Sequence, residues 1–292
     1  MAAAALAGIQ VGAAIVASRL VINDIGPAAL ALARYTIALL CLLPMVLAGN
    51  RVTFSRRDFM FVMGLGVVQF GLLIALLNIG LQFIHATWVA MLFATFPLMT
   101  IIIAALLGRE RLCAPKVMGV VLTIAGVGAA LGGKLLDGVA RDEWIGVLAV
   151  LAAALCGALC SVFYRPYLER YPTLPIGALA MAAAVAFLFV LAAMETASIG
   201  FPVLDVVGWT VVIFIGLSSG IGYLLWLWAL KNTTPTKVTM FLSLSPLTAA
   251  LLGVGFLDEP LTIGTAVGLT GVMMGLWIAA RNLEPNLATR KG

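Results

Sequence analysis

Charge is scarce in this 292-residue sequence: 10% of its residues are Asp, Glu, Lys or Arg, against 63% that are hydrophobic. A water-soluble globule of this length needs far more polar surface, so that class is excluded. There is a single histidine, His85, and no grouping of His, Cys and carboxylates at metal-ligand spacing, so no metal and no cofactor is expected. Of the four cysteines, Cys41, Cys156 and Cys160 lie inside apolar runs and Cys113 stands on the side assigned below to the cytoplasm. They read as small packing residues and not as a disulfide framework. The net charge of +5 is scattered over short loops and makes no basic stripe, which argues against a nucleic-acid partner. None of the twelve carboxylates falls in the middle of an apolar run, a lack that returns when selectivity is considered.

What the chain has in abundance is apolar runs. Mean hydropathy is +1.16, and ten runs succeed one another with no soluble domain between them: 3–21, 27–48, 59–83, 86–107, 115–131, 144–164, 174–194, 206–230, 235–256 and 262–280. Each is long enough for a hydrocarbon core of about 30 Å. The first lacks the charged start of a signal peptide and is needed for the count, so it is kept as a span.

The runs fall into two similar halves. A shift of 149 positions without a gap superimposes ten identical residues: Leu81 on Leu230, Thr87 on Thr236, Val89 on Val238, Met91 on Met240, Pro97-Leu98 on Pro246-Leu247, Glu110 on Glu259, Leu112 on Leu261, Gly119 on Gly268 and Gly126 on Gly275. The count means less than the kinds of residue matched, a mid-helix proline, a loop glutamate and two glycines. An internal duplication follows, 1–133 and 142–292, each of five helices.

Five is odd, so the halves must enter the membrane from opposite sides. With the N-terminus cytoplasmic, thirteen Lys and Arg residues fall inside and only Lys134 and Arg141 outside, with Arg19 and Arg34 left within helices. That is the positive-inside pattern, with both termini cytoplasmic in a plasma (inner) membrane. Inverted repeats of this kind mark transporters that bind substrate near the midplane.

Polar and aromatic residues at depth then nominate a site: Gln10 in the first span, Arg34 in the second, Gln69 in the third, and Met91, Phe93, Thr95 and Phe96 before Pro97 in the fourth. The second half adds Tyr164, Tyr223, Trp226, and Ser243 and Ser245 before Pro246. A proline inside a helix removes a donor and bends the backbone, and two at matched depth point to a cavity. A lipid-facing kink is the bland reading of the same prolines. Arg34 has two readings as well, a structural one that snorkels or bonds carbonyls, and one that binds a substrate carboxylate. The glycine-rich fifth and tenth spans read as packing helices.

Two motifs are decoys. The stretch from Gly128 to Lys134 has the phosphate-loop spacing, but Leu135 stands where a magnesium-binding hydroxyl belongs and no strand precedes it. Ser218 with His85 as base would resemble a serine hydrolase, but the two are expected at different depths, beyond the reach of proton transfer. The chain therefore does not read as an enzyme.

Taken together, Leu32-Ala33-Arg34-Tyr35, the series Pro97, Glu110, Gly119 and Gly126, the stretch from Cys156 to Tyr164, and the series Pro246, Glu259, Gly268 and Gly275 resemble the drug/metabolite transporter superfamily of EamA type. Within it the chain is similar to YddG-type amino-acid exporters. The resemblance implies helices one to four and six to nine as a basket around a central cavity, alternating access, and export of neutral or aromatic amino acids and related metabolites. Efflux of cationic drugs is the alternative; the small multidrug members use a membrane-embedded glutamate for it, which this sequence lacks. Facilitated diffusion and proton coupling both stay open. The expected partners are a small-molecule substrate and the lipid bilayer, and a monomer is compatible with the pattern.

Overall fold

Residues 2–49, 52–109, 114–137, 141–200, 202–234, 238–239, 241–242, 244–259 and 262–281 are described by the computed structural model, and they form helices and short connections with no strand among them. In chain order the helices are α1 (Ala2–Ile25), α2 (Pro27–Ala48), α3 (Arg56–Gly66), α4 (Leu73–Phe83), α5 (Ala86–Phe93), α6 (Phe96–Leu106), α7 (Ala114–Asp137), α8 (Arg141–Arg170), α9 (Thr173–Ile199), α10 (Val206–Asn232), α11 (Leu244–Leu257) and α12 (Ile263–Arg281). A π-helical segment, Val67–Leu72, joins α3 to α4. Helices dominate because a bilayer offers no water to unpaired backbone groups, and a helix satisfies its own.

Seven helical spans among the described residues are long and apolar enough to cross a membrane: Ala2–Ile25, Pro27–Ala48, Arg56–Phe83, Ala86–Leu106, Asp142–Arg170, Thr173–Ser198 and Val206–Asn232. Three shorter apolar stretches, Val117–Ala129, Leu244–Leu257 and Ile263–Gly275, occupy the places of the other three expected runs. Large apolar side chains such as Leu47, Leu106, Phe189, Leu251 and Phe256 are exposed on the outside of the bundle, as lipid contact requires. Several helices outrun their expected ends, α1 to Ile25 and α9 to Ile199 among them. α7 continues to Asp137, so Lys134 falls within the helix and not in a loop, and α8 continues to Arg170 through Pro166. The apolar runs mark only the part buried in the bilayer, and polar residues such as Arg165 and Glu169, an i,i+4 ion pair in α8, continue the helix beyond it. Arg51, Glu110, Arg111, Leu112, Cys113, Pro235, Thr236, Lys237, Met240, Leu261, Glu284, Arg290 and Lys291 lie outside the described residues.

The joints follow local chemistry. α1 and α2 are separated by one residue, Gly26, whose φ of 81° suits glycine, and Pro27 opens the next helix. Ser55 caps α3 through a hydrogen bond from Asp58 N at 3.1 Å, and Asp205 caps α10 through one from Gly208 N at 2.7 Å. α1 packs on α10 and α11, α2 on α9 and α10, α4 on α8, and α5 on α11, while α7 and α12 make their main contact with each other. That last pair meets through glycine: a Cβ on Gly126 would stand 2.8 Å from the Gly268 carbonyl oxygen.

Candidate functional site

A cavity of about 80 Å³ opens where α1, α2, the π segment, α4, α5, α6 and α10 converge. Arg34 and Tyr35 reach it from α2, Gln10 from α1, Gln69 and Phe70 from the π segment, Phe93 and Phe96 from either side of the α5–α6 break, and Ser219, Tyr223 and Trp226 from α10. Of the twelve nominated side chains, Gln10, Arg34, Gln69, Phe93, Phe96, Tyr223 and Trp226 are brought together here. No Asp or Glu is among the lining residues.

Arg34 is the one charged side chain among the described residues lining the cavity. It is 6% exposed, its Nε donates to Ser219 Oγ at 2.7 Å, and its guanidinium carbon lies 5.5 Å from the centre of the Tyr35 ring. Among the described residues no carboxylate stands within ion-pair distance of it. Arg19 and Arg109 behave differently, since each donates to a main-chain carbonyl, of Leu81 and Val162 respectively. A guanidinium has five donors in a planar fork. With Nε held by Ser219, the terminal nitrogens of Arg34 have no acceptor among the described residues and are suited to a planar anion.

The rest of the described lining combines aromatic rings with aliphatic side chains such as Val11, Ile15, Leu73 and Leu77, and two amides, Gln10 and Gln69. Tyr35 and Phe70 have ring centres 4.7 Å apart, Phe70 and Tyr223 4.2 Å, Tyr223 and Trp226 5.3 Å, and Trp226 and Tyr164 6.4 Å, a continuous series from α2 to α8. Gln10 Nε2 donates to Ser218 Oγ at 3.4 Å. Gln69 Oε1 is buried without a hydrogen-bond partner.

Of the remaining nominees, the described ones are not among the lining residues. Met91 is buried at 1% exposure in α5. Thr95 turns its hydroxyl onto the Leu92 carbonyl at 2.7 Å, within the break itself, and so spends it on its own backbone. Tyr164 is fully buried behind Trp226. Ser245 is buried at 1% because Gly12 of α1 lies against its backbone; a Cβ there would stand 2.5 Å from the Ser245 carbonyl oxygen. Ser243 lies outside the described residues. Both prolines are buried directly after a break: α5 ends at Phe93 and α6 opens at Phe96-Pro97, while the turn at Leu242 precedes Pro246 in α11. Leu242, the 149-shift counterpart of Phe93, also lines the cavity. Tyr35, Phe70, Ser219 and Leu242 escaped sequence reasoning. An aromatic in an apolar helix carries no signal beyond its neighbours, here Arg34 and Gln69.

Two carboxylates close helix ends on the side away from the basic loops. Glu195 of α9 accepts from Ala28 N at 3.1 Å and Ala29 N at 2.8 Å, capping α2. Glu259 accepts from Ala86 N at 2.6 Å, Thr87 N at 3.0 Å and Thr87 Oγ1 at 2.6 Å, capping α5, with His85 Nδ1 3.8 Å away. Each stands where the helix dipole and free N–H groups favour an anion. On the basic side Tyr171 donates to Asp58 Oδ2 at 2.8 Å, and Arg170 lies 3.5 Å from the same oxygen. Among the described residues no three His, Cys, Asp or Glu side chains come together as metal ligands would.

Comparison with known proteins agrees with this architecture. The sequence matches the EamA-like transporter family over residues 1–131 and 144–281. It is 25% identical over 271 residues to an uncharacterised transporter of Archaeoglobus fulgidus, covering 92% of this chain and 94% of that protein. It is 28% identical over 268 residues to a probable terminal-alkyne amino-acid exporter of Streptantibioticus cattleyicolor, covering 88% of this chain and 86% of that one. A solved crystal structure superimposes with a TM-score of 0.72 at 22% identity over 97% of this chain and 98% of its own, a likeness of fold.

Proposed function

The chain belongs to the EamA-like transporter family, and from that premise we propose that it exports neutral and aromatic amino acids and related small metabolites by alternating access. The observation that carries this reading is a central cavity whose described lining holds one guanidinium hydrogen-bonded through Nε alone, a run of aromatic rings and no carboxylate. A zwitterion entering it brings a carboxylate to Arg34 and an apolar side chain to the rings, worth about 0.8 kcal/mol per buried methylene. A cationic drug finds only aromatic faces and a like charge, so the multidrug alternative has less to offset desolvation. The relative at 28% identity, a probable amino-acid exporter, supports the substrate class.

Two inverted five-helix repeats complete the proposal. The helix contacts support it because they come in exchanged pairs: first span on eighth and on ninth, sixth on third and on fourth, second on seventh, fifth on tenth. A twofold axis relating the halves predicts that list. The cavity, at about 80 Å³, is below the range of about 300–1,000 Å³ typical of ligand sites. Admission of an amino acid therefore requires the helices to part, with the Pro97 and Pro246 breaks as the natural points of bending. No carboxylate relay crosses the cavity, so movement down the substrate gradient is the simpler coupling.

The test is counterflow in proteoliposomes loaded with single amino acids, with and without an imposed pH gradient. Accumulation of labelled phenylalanine or methionine by exchange is the expected result. Accumulation only of quaternary ammonium compounds would favour the alternative.

A further inference from the structure

Helix three of the proposed arrangement is one residue longer than its counterpart, and the surplus lies at the cavity. From the cap Ser55 to Leu81 is 26 positions, whereas from the corresponding cap Asp205 to Leu230 is 25. The π segment Val67–Leu72 takes up the extra residue, with Leu73 N bonded to the Val68 carbonyl five residues back. Such single-turn widenings are the usual way a helix absorbs an insertion, and they gather at functional positions.

The insertion makes the two halves unequal where they face each other. Whichever side of the surplus residue is used for alignment, the counterpart of Gln69 is a serine, Ser218 or Ser219. Those hydroxyls are occupied, Ser218 by Gln10 and Ser219 by Arg34. Gln69 is not. It lines the cavity, and its Oε1 is buried with no partner. Buried acceptors are nearly always paired, so one left open beside a cavity is suited to a ligand that completes it.

We propose that the carboxamide of Gln69 recognises the ammonium group of a zwitterionic substrate whose carboxylate lies at Arg34. This rests on the amino-acid reading of the cavity and adds the second pole of the site. A twofold-symmetric lining would offer both ends of a substrate the same groups, whereas a cation on α2 and an open acceptor on the π segment distinguish them. Tyr223 and Phe70, packed edge-on beside Gln69's turn, give the ammonium ring faces to rest on.

The experiment compares ligands that lack one pole. Binding to purified protein is measured for phenylalanine, for 3-phenylpropanoate, which lacks the ammonium, and for phenethylamine, which lacks the carboxylate. Gln69→Leu, of similar size, should weaken phenylalanine about tenfold or more and leave 3-phenylpropanoate within about twofold, since a bond to a charged group is lost in the first case only. Gln69→Glu should restore phenylalanine toward wild type and strengthen phenethylamine. The inference is overturned if Gln69→Leu binds phenylalanine as well as wild type does, or if Gln69→Glu fails alongside it on both amines. Wild-type protein that binds no amino acid at all would instead remove the reading on which the inference stands.

Discussion

At the scale of single residues, polarity at depth is informative because it is costly. Arg34, Gln10 and Gln69 were legible as cavity residues for that reason, and the structure places all three on one cavity. Hydroxyl residues are less legible: Thr95 satisfies itself on the Leu92 carbonyl, and Ser245 is covered by Gly12. Arg34 is held by a single hydrogen bond to Ser219 and the face of Tyr35, so its replacement should be felt by substrate more than by the fold. Arg34→Gln is expected to lower amino-acid transport by tenfold or more while the protein still elutes as a folded species. Arg34→Lys should recover little, because a point charge does not reproduce the planar fork. Unchanged transport in Arg34→Gln would return this arginine to a structural role. Glu259 is the opposite case, legible only as a loop residue matched to Glu110. Its three hydrogen bonds to Ala86 and Thr87 make it a cap on α5. Glu259→Ala should cost about 1–3 kcal/mol of stability, read as a lowered thermal midpoint in detergent, with Glu259→Gln milder.

Among the elements, the spacing of apolar runs located nearly every helix, and the matched prolines located the two breaks. The π segment was hidden, since a one-residue surplus shows only when the caps at Ser55 and Asp205 are known. Helix ends were hidden as well, because apolar composition says where a helix is buried and not where its last carbonyl finds a partner. Pro97 terminates one hydrogen-bonded segment and begins another; Pro97→Ala lets the break between α5 and α6 heal. Slower exchange with substrate affinity retained is the expected outcome, from flux and equilibrium binding measured on the same preparation. The α7–α12 pair is expected to be mechanically separate from the site. A Cβ on Gly271 would stand 3.0 Å from the Gly126 Cα, so Gly271→Val should destabilise by about 1–3 kcal/mol and leave substrate affinity within about twofold. A large loss of affinity in that variant would tie the pair to the cavity.

For the whole molecule, the succession of apolar runs carried the all-helical, multi-pass architecture, while the inverted two-repeat arrangement stands as a proposal that orientation can test. Orientation can be read from two exposed positions, Arg57 in the first turn of α3 and Val203 just before α10, which stand at corresponding ends of repeat-related helices and fall on opposite membrane sides if the repeats are inverted. In a cysteine-free background, a cysteine at 57 should be labelled only from the cytoplasmic side and one at 203 only from outside; labelling of both from one side would contradict inverted repeats. Selectivity is the property of the whole cavity and the centre of the account: with one guanidinium and no carboxylate, it should prefer zwitterions to cations. The direct measurement is competition in proteoliposomes, in which labelled phenylalanine exchange is challenged with unlabelled methionine, threonine and a quaternary ammonium compound. The amino acids should compete and the ammonium compound should not, whereas displacement by the ammonium compound far better than by methionine would contradict the account.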